Sequence, residues 1–340
     1  MPPSADSSAL RTPLWRRLAA RNEAGLAIAL VVIIAFFSVS SEYFLSPINI
    51  TNVLGQASLA MIAGVGVAMV FISGEVDISI GSILAAAAIP MIEIMNLTGS
   101  MELGILAALA LGLAIGAING FLSAYAGINS LIVTLGTLFV LRGAVYLYTG
   151  KTAIPDRVYL DSFFEIGNGR FFGLVPYPAI IALVTLVVFI YVLTRRRFGR
   201  KVYAVGGNAE VARLAGFDVK RVKFTCFVIS GALASVAGIL LASRVGSAQY
   251  VAGAGFEFQV VAAVVLGGVS LAGGIGSLVG MALGVLVLAF VANGLGMLNV
   301  NTEWQLVITG LVIIAAVAFD EWKRRTRSAG ERGEHVHGTS

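Results

Sequence analysis

Residues 103–124 read LGILAALALGLAIGAINGFLSA, a run without a charged residue from end to end. A bilayer core of roughly 30 Å takes about 20 apolar residues in helical form. A segment in lipid also has to satisfy its own backbone N–H and C=O groups, which a helix does within itself. A membrane barrel would instead show short segments alternating apolar and polar. The run is therefore expected to be a transmembrane helix. Similar runs fall at 25–41, 53–72, 78–97, 128–148, 176–194, 222–242, 257–271, 277–298 and 303–320. Together they predict an all-α fold, a polytopic transmembrane helical bundle of about ten spans that occupies residues 25–320.

The composition agrees. Hydrophobic residues make up 58% of the chain and charged ones 12%, and the mean hydropathy is +0.92, which excludes an ordinary soluble domain. The 40 glycines suit helices packed in lipid, where small side chains let backbones approach. Two places invite a discontinuous or re-entrant element. The run at 257–271 is short and punctuated by glycine, and the runs 53–72 and 78–97 are separated chiefly by Gly74-Glu75-Val76-Asp77. The first run is longer than a signal-peptide core and lacks a small-x-small cleavage site before Glu42-Tyr43, so it is read as a retained helix. Cys226 has no partner cysteine, so no disulfide framework is expected.

Lysines and arginines form three clusters: four in residues 1–24, nine in 195–223 and five from Lys323 to Arg332. Six expected spans separate the first two clusters and four the second and third. Both numbers are even, so the clusters share one side, the cytoplasmic one by the positive-inside rule. Residues 1–24 are then a cytoplasmic N-terminal segment, 195–221 the longest cytoplasmic loop and 321–340 a cytoplasmic disordered tail. His335 and His337 lie in that tail without a carboxylate or cysteine constellation, and no metal site is expected. The longest outer loop is 149–175, with Pro155, Asp156, Asp161, Asn168 and Gly169; it is too short for a domain and long enough to touch a partner. Because the basic residues act as topology signals, a nucleic-acid partner is not expected despite the net charge of +5; the surrounding partner is membrane lipid.

No nucleophile–base pair, zinc spacing or phosphate-binding loop occurs, so no catalytic residue is assigned. Uphill transport would need an ion gradient or a separate ATPase. An ion-coupled secondary transporter of a small polar solute keeps ionisable groups at the midplane, and these spans are nearly free of them. Glu93 and Arg142 are read as lying near span ends, and Glu75 and Asp77 at the break between two spans. Asp77 is either the N-cap of a helix beginning at Ile78 or a group that binds a ligand or proton.

The inner loop reads RRRFGRKVYAVGGNAEVARLAGFDVKRVKF over 195–224. Residues 209–215 favour helix, Val211 and Leu214 lie three apart, and Gly206, Gly207 and Gly216 punctuate both ends. A short amphipathic cytoplasmic helix is expected. A loop serving topology alone would not need its apolar stripe, so the stripe is read as a docking element for a cytoplasmic partner.

This loop resembles the coupling motif of ABC importer permeases: Glu210, Ala212 and Gly216 keep the E-x-A-x-x-x-G spacing, with Val211 where alanine is usual. Three longer stretches are similar to the ribose/xylose-type monosaccharide permease family. They are GEVDISIGS at 74–82, INGFLSAYAGINSLIVTLGTLFVLRG at 118–143 and AGAGFEFQVVAAVVLGGVSLAGGIGSLVG at 252–280, followed by NGL at 293–295 and AFD before the basic tail. Glu75 stands where the family has a second glycine, Asn129-Ser130 where prolines are common, Gln259-Val260 in place of Asp-Ala, and Ile275 in place of a basic residue. The resemblance thus carries the fold and leaves the identity of the sugar open.

The resemblance implies the permease domain of a multi-pass protein of the bacterial inner membrane. Its expected partners are a second permease copy, identical or homologous, cytoplasmic ATP-binding subunits and a periplasmic or extracellular sugar-binding protein. ATP and Mg would be used by the ATPase partner, with no cofactor on this chain. Glu210, Val211, Ala212, Leu214 and Gly216 would couple the two. Gln56, Asn119, Asn129, Thr134, Gln259 and Asn293 are pathway candidates, since amides and hydroxyls can replace water around a sugar; the alternative for each is an interhelical hydrogen bond. Gly267, Gly268, Gly273, Gly274 and Gly276 permit tight turns and close approach, for packing or for gating. The segments 72–82 and 266–277 both end in Ile-Gly-Ser, a hint of an internal repeat.

Overall fold

The computed structural model describes residues 22–155, 161–301 and, beyond these, 303, 304, 307, 308, 310, 311 and 314. Eight helices among the described residues are long and apolar enough to cross a membrane. They are α1 (Asn22–Ser40), α2 (Pro47–Ile72), α3 (Ile80–Thr98), α4 (Met101–Gly120, prolonged by a π turn to Tyr125), α5 (Ser130–Thr149), α7 (Tyr177–Arg195), α10 (Val219–Val245) and α12 (Leu278–Met297). Shorter helices are α6 (Asp161–Asn168), α8 (Arg197–Gly207), α9 (Ala209–Leu214) and α11 (Phe256–Leu266). Two small antiparallel ladders close the loops: β1 (Ile154–Pro155) pairs with β4 (Ser247–Ala248), and β2 (Arg170–Phe171) with β3 (Val175–Pro176).

The expected runs and the helices agree to within a few residues, and the protein is a multi-pass helical membrane protein. Six of the long helices precede the 195–223 basic segment, as the runs predict. The run at 257–271 is instead an 11-residue helix, α11, followed by a non-helical stretch to Ser277. Its five glycines between 267 and 276 stop the helix well short of a membrane thickness. The run at 303–320 lies largely outside the described residues, as do residues 1–21, Asp156 and the tail with both histidines.

Burial sorts the helices. In α2, 78% of the membrane window is buried inside the protein, against 6% in α1. Thus α2, with α3, α10 and α12, forms the centre, while α1, α5 and α7 turn apolar side chains outward. Glycine lets these helices touch: a Cβ on Gly66 of α2 would come 2.7 Å from the Cα of Ser230 on α10, and one on Gly112 of α4 would come 2.5 Å from the Gly231 carbonyl. Cys226 is fully buried there.

One expectation is corrected. Helix α3 starts at Ile80 rather than Ile78, because the Asp77 carboxylate accepts from Ser79 and holds residues 77–79 in a turn. Arg142, seven residues before the end of α5, donates to the Ala252 carbonyl at 2.6 Å, in the loop between α10 and α11.

Candidate functional site

The first break, Ser73–Ser79, is held by a polar network. Asp77 is 1% exposed; its Oδ1 accepts from the Ser79 N–H at 2.9 Å and the Ser79 hydroxyl at 2.7 Å, and its Oδ2 accepts from Ser230 on α10 at 2.7 Å. Asn119 donates to Ser79 Oγ at 2.9 Å and accepts from Thr137 at 2.6 Å. Across the break, the Val76 N–H donates to Ser130 Oγ, and Thr134 donates to the Val76 and Ser130 carbonyls. These bonds satisfy a non-helical strand of backbone that lipid could not. They tie three helices, α4, α5 and α10, to it.

The second break, 267–277, docks on the first. Gly274 N–H donates to the Ile72 carbonyl at 2.9 Å, the last residue of α2. Gly273, at φ +88, packs on Gly74: a Cβ there would come 2.7 Å from the Gly74 Cα and 2.6 Å from the Gly206 carbonyl. A Cβ on Gly206, at the end of α8, would collide with the Ile72 carbonyl. Three backbones thus meet without a side chain between them. From α8, Tyr203 donates its hydroxyl to the Gly276 carbonyl at 2.8 Å. Burial pushes its phenol above the usual range. Gly267 presses on the Met281 backbone of α12, and Gly268 takes φ +83. The two Ile-Gly-Ser triplets fall at different points: Gly81 and Ser82 lie in the first turn of α3, whereas Ser277 is the N-cap of α12.

Directly after this junction stands α9. Asn208 caps it by accepting from the Glu210 and Val211 N–H groups at 3.0 Å, and Gly216, at φ +81, supplies the left-handed turn that ends it. Ala212 is buried, Val211 is 59% exposed and Leu214 81%; Glu210 pairs with Arg213 on the surface at 2.9 Å. The helix therefore anchors through one small residue and presents two apolar ones outward.

Part-way along α2 lies a half-open cavity of about 520 Å³. Gln56 precedes Ile72 by sixteen residues, which places this lining residue about 25 Å from the junction along α2. Gln56, Gln259 and Arg244 are its polar lining, with Phe256 and Phe258 among the apolar residues. A narrower space of about 80 Å³ continues from the two glutamines between Ala57, Ala60, Ala263 and Val285. The two amides stand where wide meets narrow.

The pathway candidates therefore divide. Gln56 and Gln259 come together in the cavity. Asn119 and Thr134 belong to the first break, Asn129 caps α5 by accepting from the Leu131 N–H, and Asn293 exchanges two 2.9 Å amide bonds with Asn49 across α2 and α12. Sequence reasoning missed Arg244, since the expected span ended at 242 and the helix runs on to Val245. It also passed over Glu257, 4% exposed, whose Oε1 accepts from the Gly255 N–H and whose Oε2 has no partner among the described residues.

Comparison with known proteins agrees with this architecture. The family described as branched-chain amino acid transport system / permease component matches residues 49–317. The L-arabinose ABC transporter permease protein AraH of Azospirillum brasilense is 38% identical over 321 residues, covering 94% of this chain and 92% of the relative. The ribose import permease protein RbsC of Escherichia coli K12 is 39% identical over 299 residues, covering 87% and 93%. The probable ABC transporter permease protein YphD of Escherichia coli K12 is 37% identical over 296 residues, covering 87% and 88%. With this breadth of match over a bundle whose two breaks meet at one junction, the chain belongs to the family of ABC transport-system permease components.

Proposed function

We propose that this chain is the membrane-spanning subunit of an ATP-driven importer that moves a monosaccharide into the bacterial cytoplasm, drawing its energy from separate ATP-binding subunits. The observation that carries the reading is the mounting of α9. Its exposed Val211 and Leu214 offer an apolar contact for a cytoplasmic ATPase, and its neighbour α8 abuts both membrane breaks through Gly206. Closure of the ATPases would then move α9 as a rigid body and shift the breaks, changing which side the central pathway faces. The relatives named for L-arabinose and ribose support a sugar as cargo. So does a cavity lined by amides and phenylalanine rings, which suits the hydroxyls and C–H faces of such a ligand.

A second permease copy and an outer sugar-binding protein complete the assembly in this reading, with ATP and Mg held by the ATPase. The test is uptake of labelled L-arabinose and D-ribose by cells carrying the chain with its ATPase and binding protein, comparing the native chain with Glu210→Arg at equal membrane abundance. Loss of uptake together with loss of ATPase recruitment is expected. Undiminished uptake, above all without the ATPase, would leave an ion-coupled carrier in its place.

A further inference from the structure

Arg244 sits near the end of α10 with its guanidinium in the wall of the 520 Å³ cavity. Beside it on α2 is Gly55, where a Cβ would lie 3.8 Å from Arg244 Nη1, an ordinary contact. The next residue on α2 is Gln56, the first of the two amides. Among the described residues, none of those lining this wall is Asp or Glu, and no carboxylate pairs with Arg244. Glu257, two residues before Gln259, is not among the lining residues; its Oε1 accepts from Gly255 and its Oε2 lies beside Gly81. Among the described lining residues Arg244 is thus the one fixed charge, set between low-dielectric walls, a geometry that concentrates field lines in the opening.

We infer that Arg244 is a charge filter at the mouth of the pathway: it admits uncharged and acidic small solutes and rejects small organic cations. The cargo class is thereby narrowed to neutral or acidic sugars, with amino sugars excluded. That last step rests on the transport reading above; the filter itself does not.

The test uses the assembled transporter in lipid nanodiscs, with both faces open to reagent and neither sugar nor ATP added. A thiol is introduced by Gln259→Cys, the native Cys226 being fully buried. Its rate of modification by anionic sulfonatoethyl methanethiosulfonate is compared with that by the cationic trimethylammonium-ethyl reagent, each divided by the rate for a free thiol in solution. The expected preference for the anion is about tenfold. Arg244→Gln should reduce it to about unity, Arg244→Lys should keep it, and high salt should weaken it in the arginine protein. An equal preference with Arg244→Gln and with arginine would overturn the filter. So would no preference, or no labelling by either reagent, in the arginine protein, a result that does not depend on how the glutamine variant folds. Because no sugar is present, a protein that fails to import arabinose or ribose can still show the filter, and the two failures are distinguishable.

Discussion

Lys223 Nζ lies 2.5 Å from Glu75 Oε1, joining the N-terminal part of α10 to the break that follows α2. The two side chains are 19% and 14% exposed, so the pair is largely withdrawn from water. Glu75 stands where the resembled family has glycine, and the lysine answers the extra carboxylate.

Removing one partner strands the other. A fully buried pair broken in this way loses about 3–5 kcal/mol; with this residual exposure, Lys223→Met should cost about 2 kcal/mol. Glu75→Gln with Lys223→Met should recover part of that cost. Thermal unfolding of the purified chain in detergent, run as a double-mutant cycle, measures the coupling.

The Asp77 carboxylate serves three donors from two elements. Asp77→Ala leaves Ser79 and Ser230 without their acceptor inside the bundle and should cost on the order of 3 kcal/mol. Asp77→Asn keeps one acceptor oxygen for Ser79 and can donate to Ser230, so its loss should be about 1 kcal/mol. The same unfolding assay ranks the two, and an equal loss for both would contradict the network.

Adjacent glycines should respond in opposite ways. A Cβ on Gly206 meets the Ile72 carbonyl, which is backbone and cannot rotate away, whereas one on Gly207 has nothing within 4 Å. Gly206→Ala should destabilise by about 3 kcal/mol through overpacking, and Gly207→Ala should stay within about 0.5 kcal/mol. Melting temperatures of the two variants decide it.

Leu214 is 81% exposed on α9, so its replacement should not disturb the fold. Leu214→Glu is expected to leave the melting temperature unchanged and to abolish co-purification of the ATPase. Retention of the ATPase by this variant would move the docking contact away from α9.

The spans were legible because a run such as 103–124 has one way to live in lipid, and α9 was legible because Val211 and Leu214 share a face. The non-helical stretches were legible from Gly74 and from the glycines after Leu266, though their meeting was not: the Gly274–Ile72 hydrogen bond joins residues some 200 positions apart. Polar residues in spans were harder still. Asn119 and Gln259 are alike in a sequence; what separates them is whether another helix brings a partner, as Thr137 and Ser79 do for Asn119. Arg244 was invisible as a lining residue because the apolar run stops at 242, while the helix continues to Val245 and carries the arginine to the cavity.

The separation between cavity and junction has a consequence for how such a protein can change. At the junction, backbone touches backbone, and even a methyl group at Gly206 or Gly273 has no place to go. At the cavity, about 25 Å away along α2, the wall is made of side chains whose replacement leaves that contact untouched. On the proposed reading, a new cargo can be accommodated by substitutions at Gln56, Arg244 or Gln259 while the mechanical linkage to the ATPase is inherited whole.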